Sequence, residues 1–246
     1  MLLALHELRR MDGDKRMTDL HACTPCFYDD ESPIEMLKAS CERQDIKLHP
    51  YGMGIRWINN WTCKVPRLLE YLDTVKEPFV LLVDGADTLM LRSEQDIMSL
   101  ADEKYVLIAS EKDPYPKALK SLNFPSTWNK LGYDYPNSGC ILGPTSKLQD
   151  CLEDILQHVG ELVDGNSDQE GWSRAYLRRD DIELDYYCDL CQTMSGEAYL
   201  DVSELFGRMF NNETETFPCV GHWNGRTKGR DKWYELLMTP GGTPAA

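Results

Sequence analysis

The stretch Phe79-Val80-Leu81-Leu82-Val83-Asp84-Gly85-Ala86-Asp87 decides the fold. Its first five residues form the most apolar run in the chain and are rich in β-branching, which predicts a central strand covered on both faces. The run stops at two carboxylates. They therefore sit at the C-terminal end of a strand, where open α/β sheets bind their ligands. Upstream, Glu77-Pro78 closes a helical segment over Val65 to Val75. Before it, Met17 to Cys23 reads as a strand, Ser32 to Gln44 as a helix and Lys47 to Tyr51 as a second strand. Ser32-Pro33 supplies a helix start, with the hydroxyl as cap and Pro at the first helical position, and Ile34, Leu37 and Ala39 fall near one face. Downstream, Tyr105 to Ser110 reads as a strand, Asn123 to Asn137 as a loop rich in Pro and aromatics, and Cys140-Ile141-Leu142 as a short buried strand. An amphipathic helix follows over Leu148 to Val159, then a helix with an acidic start over Asp168 to Leu177 and a strand over Ile182 to Leu184.

This alternation predicts an α/β fold. Residues 17–238 read as one unit, preceded by an extension over 1–16 and followed by a loose tail over 239–246, with no internal repeat or linker. At 246 residues and 42% hydrophobic composition the chain can bury a substantial core, which excludes a disordered protein or a small disulfide scaffold. Lys+Arg 26 against Asp+Glu 41 gives a net charge of −15. Such an excess of carboxylates argues against a protein held on nucleic acid or anionic membrane by global charge. No apolar run approaches the roughly 20 residues that cross a bilayer, and His6, Glu7 and two arginines interrupt the N-terminal stretch where a signal core would lie. The expected location is cytoplasmic, with the nine cysteines reduced.

Asp84 and Asp87, three apart on a turn with a glycine between them, can face one hard divalent cation. They can equally be solvated turn residues. His222 lies in Val220-Gly221-His222-Trp223-Asn224-Gly225-Arg226-Thr227-Lys228, where an imidazole, glycines such as Gly225, and Lys228 share one loop suited to a metal-bound diphosphate. A surface loop with a hydrogen-bonded histidine is the competing reading. Two Cys-x-x-Cys pairs, Cys23/Cys26 and Cys188/Cys191, raise a thiol–disulfide or zinc-binding module as an alternative. The phosphate-cradling Gly-x-x-x-x-Gly-Lys-Ser/Thr is missing, and Gly52-Met53-Gly54 lacks the third glycine of a dinucleotide fingerprint, so any nucleotide site must rely on metal and lysine.

Taken in order, short motifs from Met17 to Lys232 form a series. They are Thr24, Gly52-Met53-Gly54 with Trp57, Lys64-Val65, Leu82 to Asp87, Ala109-Ser110-Glu111 with Tyr115-Pro116, Asn137-Ser138-Gly139, Ser167-Asp168-Gln169, Leu184-Asp185-Tyr186 and the His222 loop. The series resembles the glycosyltransferase domain of the procollagen lysyl hydroxylase/glucosyltransferase family. That resemblance implies an A-type glycosyltransferase fold with a manganese-bridged uridine diphosphate sugar at the strand ends. It implies that Asp84, Asp87 and His222 hold the metal, that Thr24 and Trp57 line the uridine, and that Lys64 and Lys228 contact the nucleotide. Glu111, Asn137, Ser138, Asp168 and Gln169 would face the sugar and acceptor, with Asp168 the carboxylate near the anomeric carbon and Tyr115 an aromatic at the mouth. The implied acceptor is a hydroxyl, hydroxylysine-like in protein or on a hydroxymethylated pyrimidine in DNA. A non-catalytic nucleotide-sugar binder is a third reading. The chain departs from the family pattern at Cys140 and Trp223, where glycines are expected, and in the reduction of an acidic run to Asp168.

Overall fold

The computed structural model describes residues 19–125, 131–162, 167–224 and 229–239. The extension over 1–16 and all of the tail except Thr239 lie outside them. In chain order the elements are β1 (Leu20–Pro25), α1 (Glu35–Arg43), β2 (Leu48–Tyr51), α2 (Val65–Leu72), β3 (Phe79–Val83), β4 (Thr88–Met90), α3 (Glu94–Met98) and β5 (Val106–Glu111). There follow β6 (Tyr135–Pro144), α4 (Thr145–Gln157), α5 (Asp168–Arg178), β7 (Ile182–Asp185), β8 (Cys191–Thr193), β9 (Val202–Leu205), β10 (Arg208–Asn211), β11 (Val220–His222) and α6 (Arg230–Met238).

The main sheet has the order β2-β1-β3-β6-β5-β7. All its strands run parallel except β6, which pairs antiparallel with both β3 and β5. As expected, β3 is central and buried at every residue. Its side chains alternate between two cores. Val80 and Leu82 meet α2, α4 and α5, while Leu81 and Val83 meet α1, α3 and the second sheet. Helix α4 supplies Leu148, Cys151, Leu152 and Ile155 to the first core, a spacing that places them on one helical face. The second sheet has the order β4-β11-β8, and β9 and β10 form a separate hairpin.

Two local readings are corrected. The expected loop over Asn123 to Asn137 ends sooner, and the three-residue strand at Cys140 is the middle of the ten-residue β6. Pro136, Asn137, Ser138 and Gly139 are poor strand formers by composition, but pairing of Pro136 and Asn137 with β5 and the Asp84 N–H on the Gly139 carbonyl carry the strand through them. The register shifts at Ile108/Ala109, where β6 bulges through Ser138, Gly139 and Cys140. The Ser32 hydroxyl does not cap a helix. Ser32 to Ile34 form a 3-10 turn whose first N–H goes to the Asp30 carboxylate at 2.8 Å. The buried face there is Ile34, Leu37, Ser40 and Cys41, while Ala39 is only half-buried.

Because β6 runs against its neighbours, its N-terminal end lies at the same sheet edge as the C-terminal ends of β1, β3, β5 and β7. Thr24, Asp84, Glu111, Asn137 and Ser138 are thereby gathered along one edge.

Candidate active site

Asp84 follows β3 directly, and its N–H donates to the Gly139 carbonyl of β6 at 2.9 Å. The turn it opens is closed by the Thr88 hydroxyl, which donates to the Asp84 carbonyl. Thr88 then starts β4 opposite His222 of β11, and the Trp223 N–H donates to the Asp87 carbonyl at 2.8 Å. Strand pairing thus brings Asp84, Asp87 and His222 to one point. His222 Nε2 lies 3.5 Å from Asp87 Oδ1 and 3.8 Å from Asp84 Oδ2. One ligand atom from each of the three falls within 4.8 Å of the others. The ring is buried, yet Nε2 has no hydrogen-bond partner. An unpartnered imidazole nitrogen beside two carboxylate oxygens is a donor set that fits a divalent cation. Gly139 allows the ring its place, since a Cβ there would fall 2.0 Å from His222 Cε1.

Burial pushes the Asp87 carboxyl up, but His222 and Lys64 outweigh that effect and leave it below the usual value. For His222 burial acts downward, and the Asp87 and Asp84 carboxylates more than reverse it.

Lys64 is buried at the end of a π-helical turn, Asn60–Lys64, capped by the Asn59 side chain, which accepts the Thr62 N–H at 2.8 Å. Its ammonium bridges Asp84 Oδ1 at 2.7 Å and Asp168 Oδ2 at 2.8 Å. Burial alone would lower an ammonium, but Asp168 and Asp84 hold Lys64 well above its ordinary value. Asp168 opens α5, where the helix N-terminus favours a carboxylate.

Glu111 ends β5 as the centre of a buried network. It accepts from Asn137 Nδ2 at 3.1 Å, Ser195 Oγ at 3.1 Å, Asn224 Nδ2 at 2.8 Å and Gln169 Nε2. Burial pushes its carboxyl up, and the Gln169, Asn137 and Ser195 donors pull it part of the way back. With four donors on two oxygens, Glu111 is a structural hub of the site. Ser138 is buried beside Asn137 on β6.

At the β1 end, Thr24 is buried with its hydroxyl unpartnered, facing Gly85. Trp57 is exposed, its ring 5.3 Å from that of Phe27. Tyr115 is 58% exposed, beyond the end of β5. Gly225 and Lys228 lie outside the described residues. Ser195 and Asn224 escaped the sequence reading as site residues. Asn224 stood in the His222 loop without a role, and Ser195 had no local signal at all.

The cysteine pairs present nothing comparable. All nine cysteines are buried as free thiols, and among the described residues the one metal-ligating cluster contains no cysteine. Burial drives the Cys23, Cys26, Cys188 and Cys191 thiols upward, away from the reactive thiolate form.

Comparison with known proteins agrees with this fold. Residues 29–231 match the family described as PLOD GT domain. The uncharacterized protein R699 of Acanthamoeba polyphaga mimivirus is 28% identical over 201 residues, which take in 76% of this chain and 42% of that protein. The chain thus spans about two fifths of that relative's length. Among solved structures, the galactosyltransferase LgtC in complex with donor and acceptor sugar analogs superposes with a TM-score of 0.56 at 12% identity, covering 88% of this chain and 95% of LgtC. A glycosyltransferase involved in the glycosylation of the major capsid of PBCV-1 gives a TM-score of 0.53 at 11% identity, covering 89% and 99%. Both share the mixed α/β architecture of A-type glycosyltransferases. Since the family match runs from before α1 into α6, the chain belongs to the PLOD GT domain family.

Proposed function

We propose that the protein transfers a hexose from a uridine diphosphate sugar to a hydroxyl acceptor in a reaction that depends on a divalent cation such as manganese. What carries this reading is the convergence of Asp84, Asp87 and a bare His222 Nε2 with the Lys64–Asp168 pair at one sheet edge. In such a transfer the anomeric carbon–phosphate oxygen bond breaks, a bond to the acceptor oxygen forms, and the acceptor hydroxyl gives up its proton. The leaving diphosphate gathers negative charge. Asp84, Asp87 and His222 would hold the cation, which when bound supplies Lewis-acid stabilisation of that charge. Lys64 contributes a fixed positive charge beside the same site, already oriented by two carboxylates. Asp168 is the second carboxylate on that charge, at 2.8 Å, and we assign it to the face of the reacting sugar. Glu111, with its oxygens occupied, orders Asn137 and Gln169 for contact with sugar hydroxyls. The unpartnered Thr24 hydroxyl and the Trp57 ring line the nucleoside end.

The acceptor is a hydroxyl on a modified protein side chain, of the hydroxylysine type, or on a hydroxymethylated pyrimidine. The −15 net charge favours the first over an anionic duplex. Release of uridine diphosphate from a panel of its sugars, with manganese and with chelator, tests the class without knowledge of the acceptor. Metal-dependent release from one sugar is expected, and Asp84→Ala should lower it by at least about a hundredfold, the usual scale for removing a transition-state charge partner. Tight nucleotide binding with no release from any sugar, even with both acceptor types supplied, would overturn the enzyme in favour of a non-catalytic binder.

A further inference from the structure

We propose that Asn137 is a positioning residue that fixes the tautomer of His222, keeping the ring proton on Nδ1 and leaving Nε2 bare toward Asp84 and Asp87. Its consequence for metal binding rests on the function proposed above. The tautomer itself is a property of the metal-free chain.

A neutral imidazole has one proton for two nitrogens. Nε2 faces two carboxylate oxygens, at 3.5 and 3.8 Å, which would draw the proton to that side. With the proton there, the nitrogen could not ligate a cation. On the other side Nδ1 lies 3.1 Å from Asn137 Oδ1. That this atom is the amide oxygen follows from its second contact, the backbone N–H of Gly139 at 3.0 Å, which can only donate. The amide nitrogen meanwhile points to acceptors, Glu111 Oε2 at 3.1 Å and Gln169 Oε1 at 3.3 Å. Asn137 therefore cannot turn over without breaking three contacts. A proton on Nε2 would leave two buried lone pairs facing each other, whereas a proton on Nδ1 makes a hydrogen bond. Residues 137 and 139 share a face of β6, so the oxygen that takes the Gly139 N–H also meets the ring lying over Gly139. Outer partners of this kind set the tautomer and basicity of metal-binding histidines, and their loss typically costs about 10- to 100-fold in metal affinity.

The test has two readouts. Nitrogen-15 NMR of the imidazoles in the metal-free wild-type protein at alkaline pH should show His222 protonated on Nδ1, and a proton on Nε2 would overturn the proposal directly. Manganese titration by calorimetry should then show affinity about 10- to 100-fold weaker in Asn137→Leu, which is close in size and removes the acceptor. Asn137→Asp, which keeps an acceptor toward Nδ1 but sets its second oxygen against Glu111 and Gln169, should lose less affinity than Asn137→Leu. Equal loss in both variants, or none in folded Asn137→Leu, would refute the assignment. A wild-type protein with the Nδ1 proton in place that binds no manganese would sustain the tautomer and refute the metal-dependent function instead.

Discussion

Lys64 concentrates the electrostatics of the site in one side chain. Its ammonium is the charge that lets Asp84 and Asp168 approach the same point, so Lys64→Met should leave two facing carboxylates. Breaking a buried ion pair costs about 3–5 kcal/mol, and the partial exposure of Asp84 places the expected loss near about 3. Urea unfolding measures it, and a variant as stable as wild type would show that Lys64 is not the countercharge. At this scale the sequence was informative where ligands are contiguous with a strand. Asp84 and Asp87 follow an unmistakable apolar run, and β-sheet logic alone put them at a ligand-binding edge. His222 was singled out by the glycines and lysine of its loop, but grouping it with Asp84 and Asp87 needed the resemblance, because a histidine in a loop carries no address. Ser195 and Asn224 were illegible for a further reason: they join the site through Glu111, and a hydrogen-bond network that assembles from distant loops leaves no spacing in the chain.

Among the elements, the contact between α5 and the turn bearing Lys64 depends on Gly171. Replacing a mid-helix glycine by alanine ordinarily stabilises by about 0.5–1 kcal/mol. Here the added Cβ would fall 2.6 Å from the Trp61 ring and 2.7 Å from Ile155 Cγ2. Gly171→Ala should therefore destabilise, by about 1–3 kcal/mol as overpacked cores do, and lower turnover by moving Asp168 away from Lys64. A gain in melting temperature would contradict this. The end of β7 gives a pH dependence. Asp185 accepts the N–H groups of Asp189, Leu190 and Cys191, yet burial pushes its carboxyl from 3.8 up to about 7. A raised carboxyl means the folded form binds the proton more tightly, so this group's contribution is complete below pH 4 and is lost as pH rises to about 7. Urea midpoints between pH 4 and 8 should fall with rising pH, and Asp185→Asn should flatten that slope. Strand and helix order was readable from period and punctuation; the direction and length of β6 were not. A Pro-Asn-Ser-Gly start reads as loop, and only its pairing with β5, remote in sequence, makes it a strand.

The whole molecule keeps all nine cysteines inside. A thiol reagent applied to the native protein should react on the timescale of unfolding, with all nine appearing together in denaturant; fast labelling of Cys23 or Cys26 would revive the redox reading. The odd count and the Cys-x-x-Cys spacings suggested chemistry because spacing says nothing of burial. The pairing of β4 with β11 has a different kind of consequence, one set in time. As the chain leaves the ribosome, Thr24, Lys64, Asp84 and Asp87 emerge first, and the strand carrying His222 follows only after β5, β6, β7 and β8. The three-residue cluster is thus incomplete until β11 pairs with β4 and β8, which makes it a product of the folded sheet and not of any local segment.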